Sequence, residues 1–428
     1  MPAIPAADRD KVIIVGAGLA GLTCAKVLAE AGRKFVLLEA SAQPGGRAAS
    51  RRNDDGFILD RGFQVLLDSY PAARRHLDFE ALGGGYFRAG AMFVGGGGPR
   101  TLANPLHHPS DLFSSLGCRD IGLGDKLRFA RLASGALLIG EALLRRRAAS
   151  ASDETAAQLL RRRGFGKKFF VNFAQPFFGG VLLDPDLQAS ASLLLSYVRR
   201  FATGRALLPG EGIGAIGQQL ASRLPSDSAR FGAAVDKLLP GQGVALRDGA
   251  MVSGSDVVLA VAEPELCRLL GKGEPRAARS TAVHYFAAQR KWYDAAWLCL
   301  PPRRAESPVL HAALVTNAAP TLAPDGQHLW SVTVVAGHPA ASDARAVAAE
   351  IAAWFGADPR DLRHLEFVEV PYAVPRQPPG FAGRPAPWGD LPPRVHVAGD
   401  AASAASIDAA MASGEAVAKN LIASARAC

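Results

Sequence analysis

Cysteine is scarce in this chain of 428 residues. Cys24, Cys118, Cys267, Cys299 and Cys428 are odd in number and scattered, with no C-x-x-C and no histidine pairing. That excludes a disulfide framework and a structural zinc site, leaves no metal in the expected chemistry, and points to a reducing compartment, the cytoplasm. A basic region leading into an apolar one is missing from Met1–Asp10, which carries acids instead, so neither a signal peptide nor a transit peptide is expected. No run reaches the roughly 18 uncharged apolar residues of a membrane-spanning helix. Nucleic-acid motifs are absent too, and the basic residues flank apolar helices instead of alternating with exposed aromatics, so nucleic acid is not an expected partner.

What is present is length and apolar content enough for two or three domains with a large core. The net charge is +9, and it is concentrated: from Lys126 to Arg205 there are 14 Lys and Arg against 5 Asp and Glu, and the rest of the chain is balanced. The most informative stretch is Lys11–Arg47. Val12–Val15 is a short β-branched run, as in a strand buried on both faces of a parallel sheet. Gly16, Gly18 and Gly21 follow at G-x-G-x-x-G spacing, leading through Leu19 and Ala20 into a helix over Leu22–Ala31. This spacing serves a tight turn, close backbone approach to a pyrophosphate, and close helix packing, with the helix N-terminus facing the phosphate. A second strand, Phe35–Leu38, delivers Glu39 to the position that accepts hydrogen bonds from a ribose, with Ala40 beside it.

Glu39 is followed after five residues by Gly45-Gly46-Arg47. This E-x(5)-G-G-R after a dinucleotide fingerprint resembles the FAD superfamily of flavin amine oxidases, phytoene-type desaturases and protoporphyrinogen oxidases. The resemblance implies that Gly45 and Gly46 approach the cofactor closely and that Arg47 pairs with its phosphates, a role suited to a guanidinium fork. It also implies that the Asp60-Arg61-Gly62 turn passes near the flavin, with Gly62 and Gln64 carried over, and that Val235 touches the adenosine end through its backbone. In Leu207–Gly214 the family's paired-glycine turn is replaced by Glu211-Gly212, a small departure.

Between these landmarks, Gly83–Gly85 and Gly95–Gly98 bracket a strand, Ala91–Val94, as a hairpin arm outside the nucleotide fold. Asp125–Arg147 is expected as one helix with Phe129, Leu132, Ala136, Ile139 and Leu143 on one stripe. Core packing is one reading of it, and a membrane-surface helix with headgroup-facing arginines, making residues 126–205 a peripheral membrane contact, is the other. Phe165 to Phe178 is crowded with phenylalanine. It resembles the middle of the desaturase branch, where a helix ends at proline beside an apolar substrate cavity; a plain core helix is the other reading. Of three possible chemical features in the second half, His284 is a strand histidine, Tyr372 follows Pro371, and Trp388 would complete an aromatic pair with Tyr372 in an amine oxidase. Amine oxidases place a lysine on the strand matching Thr281–Phe286, and none is there. The catalytic residue is left unassigned, with Gln64, His284 and Tyr372 as candidates.

The chain closes with Arg394–Asp400, a strand ending in Gly399-Asp400, then a helix from Ile407 to Ala423. This resembles the superfamily's second FAD signature. It implies that Asp400 bonds the ribityl chain or the pyrophosphate side and that the helix through Ile407 and Ala410 faces the flavin pyrimidine, where its N-terminus suits negative charge. With no cysteine in the loop, FAD is expected to be non-covalent. The expected fold is α/β: a Rossmann-like FAD-binding domain (GR2 type) built from residues 1–70, 205–272 and 391–428, with an inserted α+β substrate domain from 71–204 and 273–390. The expected function is an FAD-dependent, desaturase-like oxidoreductase. It takes hydride from a C–H (or C–N) carbon of a hydrophobic small molecule to flavin N5 and passes electrons to O2 or a quinone. A flavin amine oxidase and a non-catalytic binding protein on the same fold are the alternatives.

Overall fold

The computed structural model describes residues 11–427 except 96–97, 105–106, 108–114, 116, 240, 242 and 303–305; Met1–Asp10 and Cys428 lie outside the described residues. The apolar run Val12–Val15, buried throughout, is the central strand of a five-stranded sheet. On one side it pairs in parallel with Phe35–Leu38, and that strand with Ala229–Arg230. On the other side lie Asp256–Leu259 and then Val395–Val397, also parallel. Strands from three distant stretches therefore meet in one doubly covered sheet, as a parallel sheet requires. Helix Leu19–Glu30 and the closing helix Ile407–Ala427 share one core with Val12, Ile14 and Leu37, while Ile13, Val15 and Val36 face a second core containing Leu266 and Val244. Period-two alternation along the strands assigns these two faces.

A seven-stranded sheet forms the other half, in the order Leu362–Pro375, Ala278–Ala288, His328–Val334, Val309–Leu314, Cys299–Leu300, Gly90–Phe93, Arg100–Ala103. The hairpin 90–103 is thus outside the nucleotide fold, as read from its glycines, but it extends the distal sheet through a parallel pairing of Met92 and Phe93 with Cys299 and Leu300. Helix Ala344–Phe355 covers one face of this sheet through Val347, Ile351 and Trp354. Its other face packs on Phe57, Ile58 and Leu59, at and beside the short strand Ile58–Asp60.

Two elements differ from the expectation. The stretch 125–147 is two helices, Leu123–Leu138 and Glu141–Ala148, because Gly140 breaks the run and heads the second. Phe170–Phe178 is a π-helix that runs through Pro176 and continues into Gly179–Val181, so the helix does not end at the proline. A wider turn accommodates the missing proline N–H, and such turns mark irregular, often functional, places. Within the expected stripe, Leu132 and Ala136 are buried, Phe129 and Ile139 pack on the same core, and Leu143 is exposed.

Candidate functional site

The three glycines of the first turn are required for three separate reasons. Gly16 has φ +101°, and a Cβ there would come 2.6 Å from the Ala260 carbonyl oxygen. A Cβ on Gly21 would collide with the Gly16 carbonyl, so the helix lies directly on its own turn. A Cβ on Gly18 would meet nothing within 4 Å; Gly18 heads the Leu19–Glu30 helix with no side-chain cap and no acid in the first turn. The backbone at Leu19 and Ala20 is therefore an open helix end whose dipole and N–H groups suit an anion.

Against this open end lies the second glycine pair. Gly45 (φ +113°) donates its N–H to the Ala17 carbonyl at 2.8 Å, and Gly46 (φ +60°) sits so close that a Cβ would be 3.3 Å from the Gly18 Cα. Only residues without side chains leave a cradle here. At its far end the Glu39 carboxylate accepts from Ala17 N–H at 2.6 Å and from the Ser41 N–H and hydroxyl at 2.8 Å, beside exposed Ala40. The Ala233 N–H donates to the Glu39 carbonyl (2.8 Å), which brings the 232–235 stretch alongside; the Val235 carbonyl itself accepts from Arg268 at 2.8 Å.

Arg47 carries the first segment across to the third. Its guanidinium donates to the buried Asp400 carboxylate at 2.6 Å and to the Ala373 carbonyl at 2.7 Å. Burial opposes its charge, but the Asp400 carboxylate outweighs that and holds the guanidinium proton more tightly than usual. Gly399 (φ +108°) donates to Ser413 Oγ at 3.0 Å. Ile407 opens the closing helix, Ser406 Oγ caps it at Ala409 N–H, and Ala410 N–H bonds the Ser406 carbonyl. A Cβ on Gly414 would collide with the Ala20 carbonyl, so the closing helix touches the fingerprint helix backbone to backbone. The first and last segments of the chain thus lie in direct contact.

Gly62 (φ +97°) approaches Thr281. Gln64 donates its amide to the Arg47 carbonyl at 2.9 Å, so it steadies the cradle instead of presenting a free polar group. Tyr372 is half-buried, its hydroxyl has no hydrogen-bond partner among the described residues, and burial with the nearby Glu263 and Asp400 carboxylates pushes its pKa up. Trp388 is buried in the core with Leu266 and Leu269, which removes it from any aromatic pair with Tyr372. His284 requires the clearest correction. Tyr285 points to the face packed on Phe57, Ile58 and Leu59, where its hydroxyl donates to the Asp60 carbonyl at 2.9 Å. His284, one residue away, points to the opposite face among Phe286 and Phe367 and bonds the Ala341 carbonyl (2.7 Å) and His364 (3.1 Å). Strand parity puts it on the opposite face from Tyr285.

Several residues escaped the sequence reading. Arg276 bonds buried Glu263 through its Nε at 2.8 Å and the Ala401 carbonyl at 2.8 Å, clamping the Asp400 loop from the second segment. The hint was Pro264 placed just inside a helix start, which marks Glu263 as a first-turn acid. Asp60 is buried, accepts from Ser50 Oγ (2.5 Å) and Ile213 N–H (3.0 Å), and burial pushes its pKa up to about 6. His311, also buried, packs on Phe63 and against Gly180 at the end of the π-helix segment, and burial lowers its pKa to about 4. Among the described residues no cluster of three His, Cys, Asp or Glu could hold a metal ion.

Comparison with known proteins places this geometry. A 61-residue stretch, 14% of this chain, is 48% identical to the 15-cis-phytoene desaturase of Arabidopsis thaliana and covers 11% of that protein. The chain therefore spans only about a tenth of the relatives it matches in sequence. A putrescine oxidase structure is similar over 97% of this chain and 99% of its own, with TM-score 0.71 and 16% identity. A reduced UDP-galactopyranose mutase is similar over 97% and 96%, with TM-score 0.68 and 17% identity. At those identities the likeness is one of fold. The description of a flavin containing amine oxidoreductase fits residues 19–422, and with that match over nearly its whole length the chain belongs to this family.

Proposed function

We propose that this protein is an FAD-dependent oxidoreductase that removes hydride from a C–H bond, or from the carbon of a C–N bond, in a hydrophobic small molecule. The observation that carries the reading is the meeting of the two distant signatures, with Gly414 against Ala20 and Arg47 bonded to Asp400. The fit to a dinucleotide rests on the open face at Gly18 and on the Gly45-Gly46 turn against it, where a Cβ on Gly46 would press on Gly18 and one on Gly45 on the Ala48 carbonyl. Gly16, Gly18, Leu19, Ala20, Gly21, Gly45, Gly46 and Arg47 would hold the phosphates. Glu39, Ala40 and Val235 would hold the adenosine side, and Gly62, Gly399, Asp400, Ile407 and Ala410 the flavin side. FAD, when bound, supplies the two-electron acceptor.

The protein's own part is orientation and electrostatics. The N-terminal end of the Ile407–Ala427 helix would stabilise negative charge on the flavin side. Arg276 and Glu263 fix the Asp400 loop, and Gln64 fixes Arg47. No side chain is assigned as a general base: His284 lies on the far face and the Gln64 amide is engaged. The phenylalanines of the π-helix segment are in ring contact from Phe165 through Phe178, and of these Phe170 and Phe177 are only half-buried, which supports an apolar substrate beside them. The absence of cysteine from Gly399–Ser406 supports non-covalent FAD. Residues 1–70, 205–272 and 391–428 make the cofactor domain, 71–204 and 273–390 the substrate domain. Electrons pass to O2 or a quinone, and the protein works in the cytoplasm.

Anaerobic mixing of the flavin-loaded protein with polyene, polycyclic and amine panels tests this. Bleaching by an apolar hydrocarbon substrate is the expected result. Bleaching by amines alone would install the amine oxidase alternative, although Trp388 is not placed to flank a ring. No bleaching, with FAD bound, would favour the binding-protein alternative.

A further inference from the structure

The helix Leu123–Leu138 has two apolar faces, and only one is used inside the protein. Leu132 and Ala136 are buried, and Phe129 packs on Phe169, Phe173 and Phe178. On the other side Leu123, Leu127 and Leu138 are 59%, 64% and 88% exposed. At about 100° per residue their spacing puts all three within roughly 60° of one another. Leu143, on the next helix, is exposed as well, so four of the six large exposed hydrophobics among the described residues sit on this one hairpin. A lone exposed leucine means nothing; three on one face of a helix, with Ser134 between the last two and a fourth leucine on the next helix, make a ridge.

The ridge is edged by cations. Arg128 and Arg131 lie along its flank, Arg145, Arg146 and Arg147 at the end of the second helix, and all are exposed. Gly166 N–H bonds the Asp125 carboxylate at 3.2 Å, which sets exposed Arg163, Lys167 and Lys168 beside the first helix. From 123 to 168 there are eleven Lys and Arg against Asp125, Glu141, Asp153 and Glu154. Those acids engage Arg128, Arg145, Arg162 and Ser190, and among the described residues Arg131, Arg146 and Arg147 form no ion pair. We propose that the hairpin 123–148 seats the protein on the surface of an anionic lipid bilayer, with Leu123, Leu127 and Leu138 at the headgroup–acyl boundary and the arginines among the headgroups. This is the face opposite the Phe129 stripe expected from sequence. A second copy fits worse, because the same positive rim would face itself. No helix among the described residues is long and apolar enough to cross a membrane, so the contact is one of lying on the surface. The proposal does not rest on the flavin chemistry.

Co-sedimentation of the flavin-loaded full chain tests it, using phosphatidylcholine vesicles with and without about one third phosphatidylglycerol. Binding to the anionic vesicles alone, released by high salt, is expected. Leu127→Ser with Leu138→Ser should lower the partition at least about tenfold, and Arg131→Gln or Arg146→Gln roughly fivefold each, with unchanged melting. Failure of the parent to bind anionic vesicles would overturn the proposal, as would leucine variants that bind like the parent. So would a parent dimer that these substitutions split while vesicle binding stays absent.

Discussion

The two halves of this molecule are held together by opposite means. Around the parallel sheet the decisive positions are those without side chains: Gly21 against Gly16, Gly46 against Gly18, Gly414 against Ala20. Around the seven-stranded sheet and the π-helix the decisive positions are filled, with Trp330, Phe169, Phe178 and Phe286 almost wholly buried. A cradle for a fixed ligand admits very few residue types at each point, whereas an apolar interior accepts many combinations of the right volume. The first half should therefore break at single atoms and the second should yield gradually.

The sharpest way to break that contrast is Gly21→Val or Gly414→Leu, where new carbons would meet backbone. Each should cost about 3 kcal/mol or more and abolish flavin retention, measured by thermal melting and by flavin content after gel filtration. Melting like the parent would refute the account of these glycines. Next, Arg47→Ala leaves the Asp400 carboxylate buried without its partner. A loss of about 2 kcal/mol is expected, below that of a fully buried pair because the guanidinium is partly exposed. Arg47→Lys should recover part of it but not full flavin affinity. Equal behaviour of the two variants would remove the fork from the argument.

Titration sharpens the comparison because two buried groups pull stability in opposite directions. Asp60, raised by burial to about 6 in the folded state, keeps a proton that the unfolded chain loses near its ordinary value. Its contribution is present below the unfolded pKa and is lost as pH rises through the folded one. His311, lowered by burial to about 4, contributes stability that is lost as pH falls from its ordinary value toward 4. Urea unfolding at about pH 4 and about pH 6.5 should show Asp60→Asn tilted toward greater stability at the higher pH by about 2 kcal/mol relative to the parent. His311→Gln should tilt the other way. Curves parallel to the parent's would contradict both assignments. The smallest effect is expected from Phe173→Leu in the π-helix, about 1 kcal/mol with flavin content unchanged; loss of flavin there would erase the distinction between the halves.

The same contrast explains what could be read in advance. The strand, glycine turn, helix and acid of residues 12–39, the Gly45-Gly46-Arg47 triplet and the Gly399-Asp400 ending were legible because a dinucleotide demands particular residues at fixed local spacing. The Glu263–Arg276 clamp was not, since an ion pair thirteen residues apart has no local signature. His284 stayed a candidate in the sequence because a strand's two faces differ by one residue, and nothing in the sequence says which face packs on Phe57, Ile58 and Leu59. The exposed leucines of 123–138 were hidden behind a stripe that accounted for the helix by itself; two apolar faces on one helix cannot be told apart until the partner of one is known.

The central claim is that the two ends of the chain build one FAD site. The visible absorption spectrum of the purified protein tests it most directly, taken before and after acid precipitation. Flavin bands in the protein, with FAD recovered in the supernatant, are the predicted result. A colourless protein that also takes up no added FAD would contradict the account, and flavin that remains with the precipitate would contradict its non-covalent form.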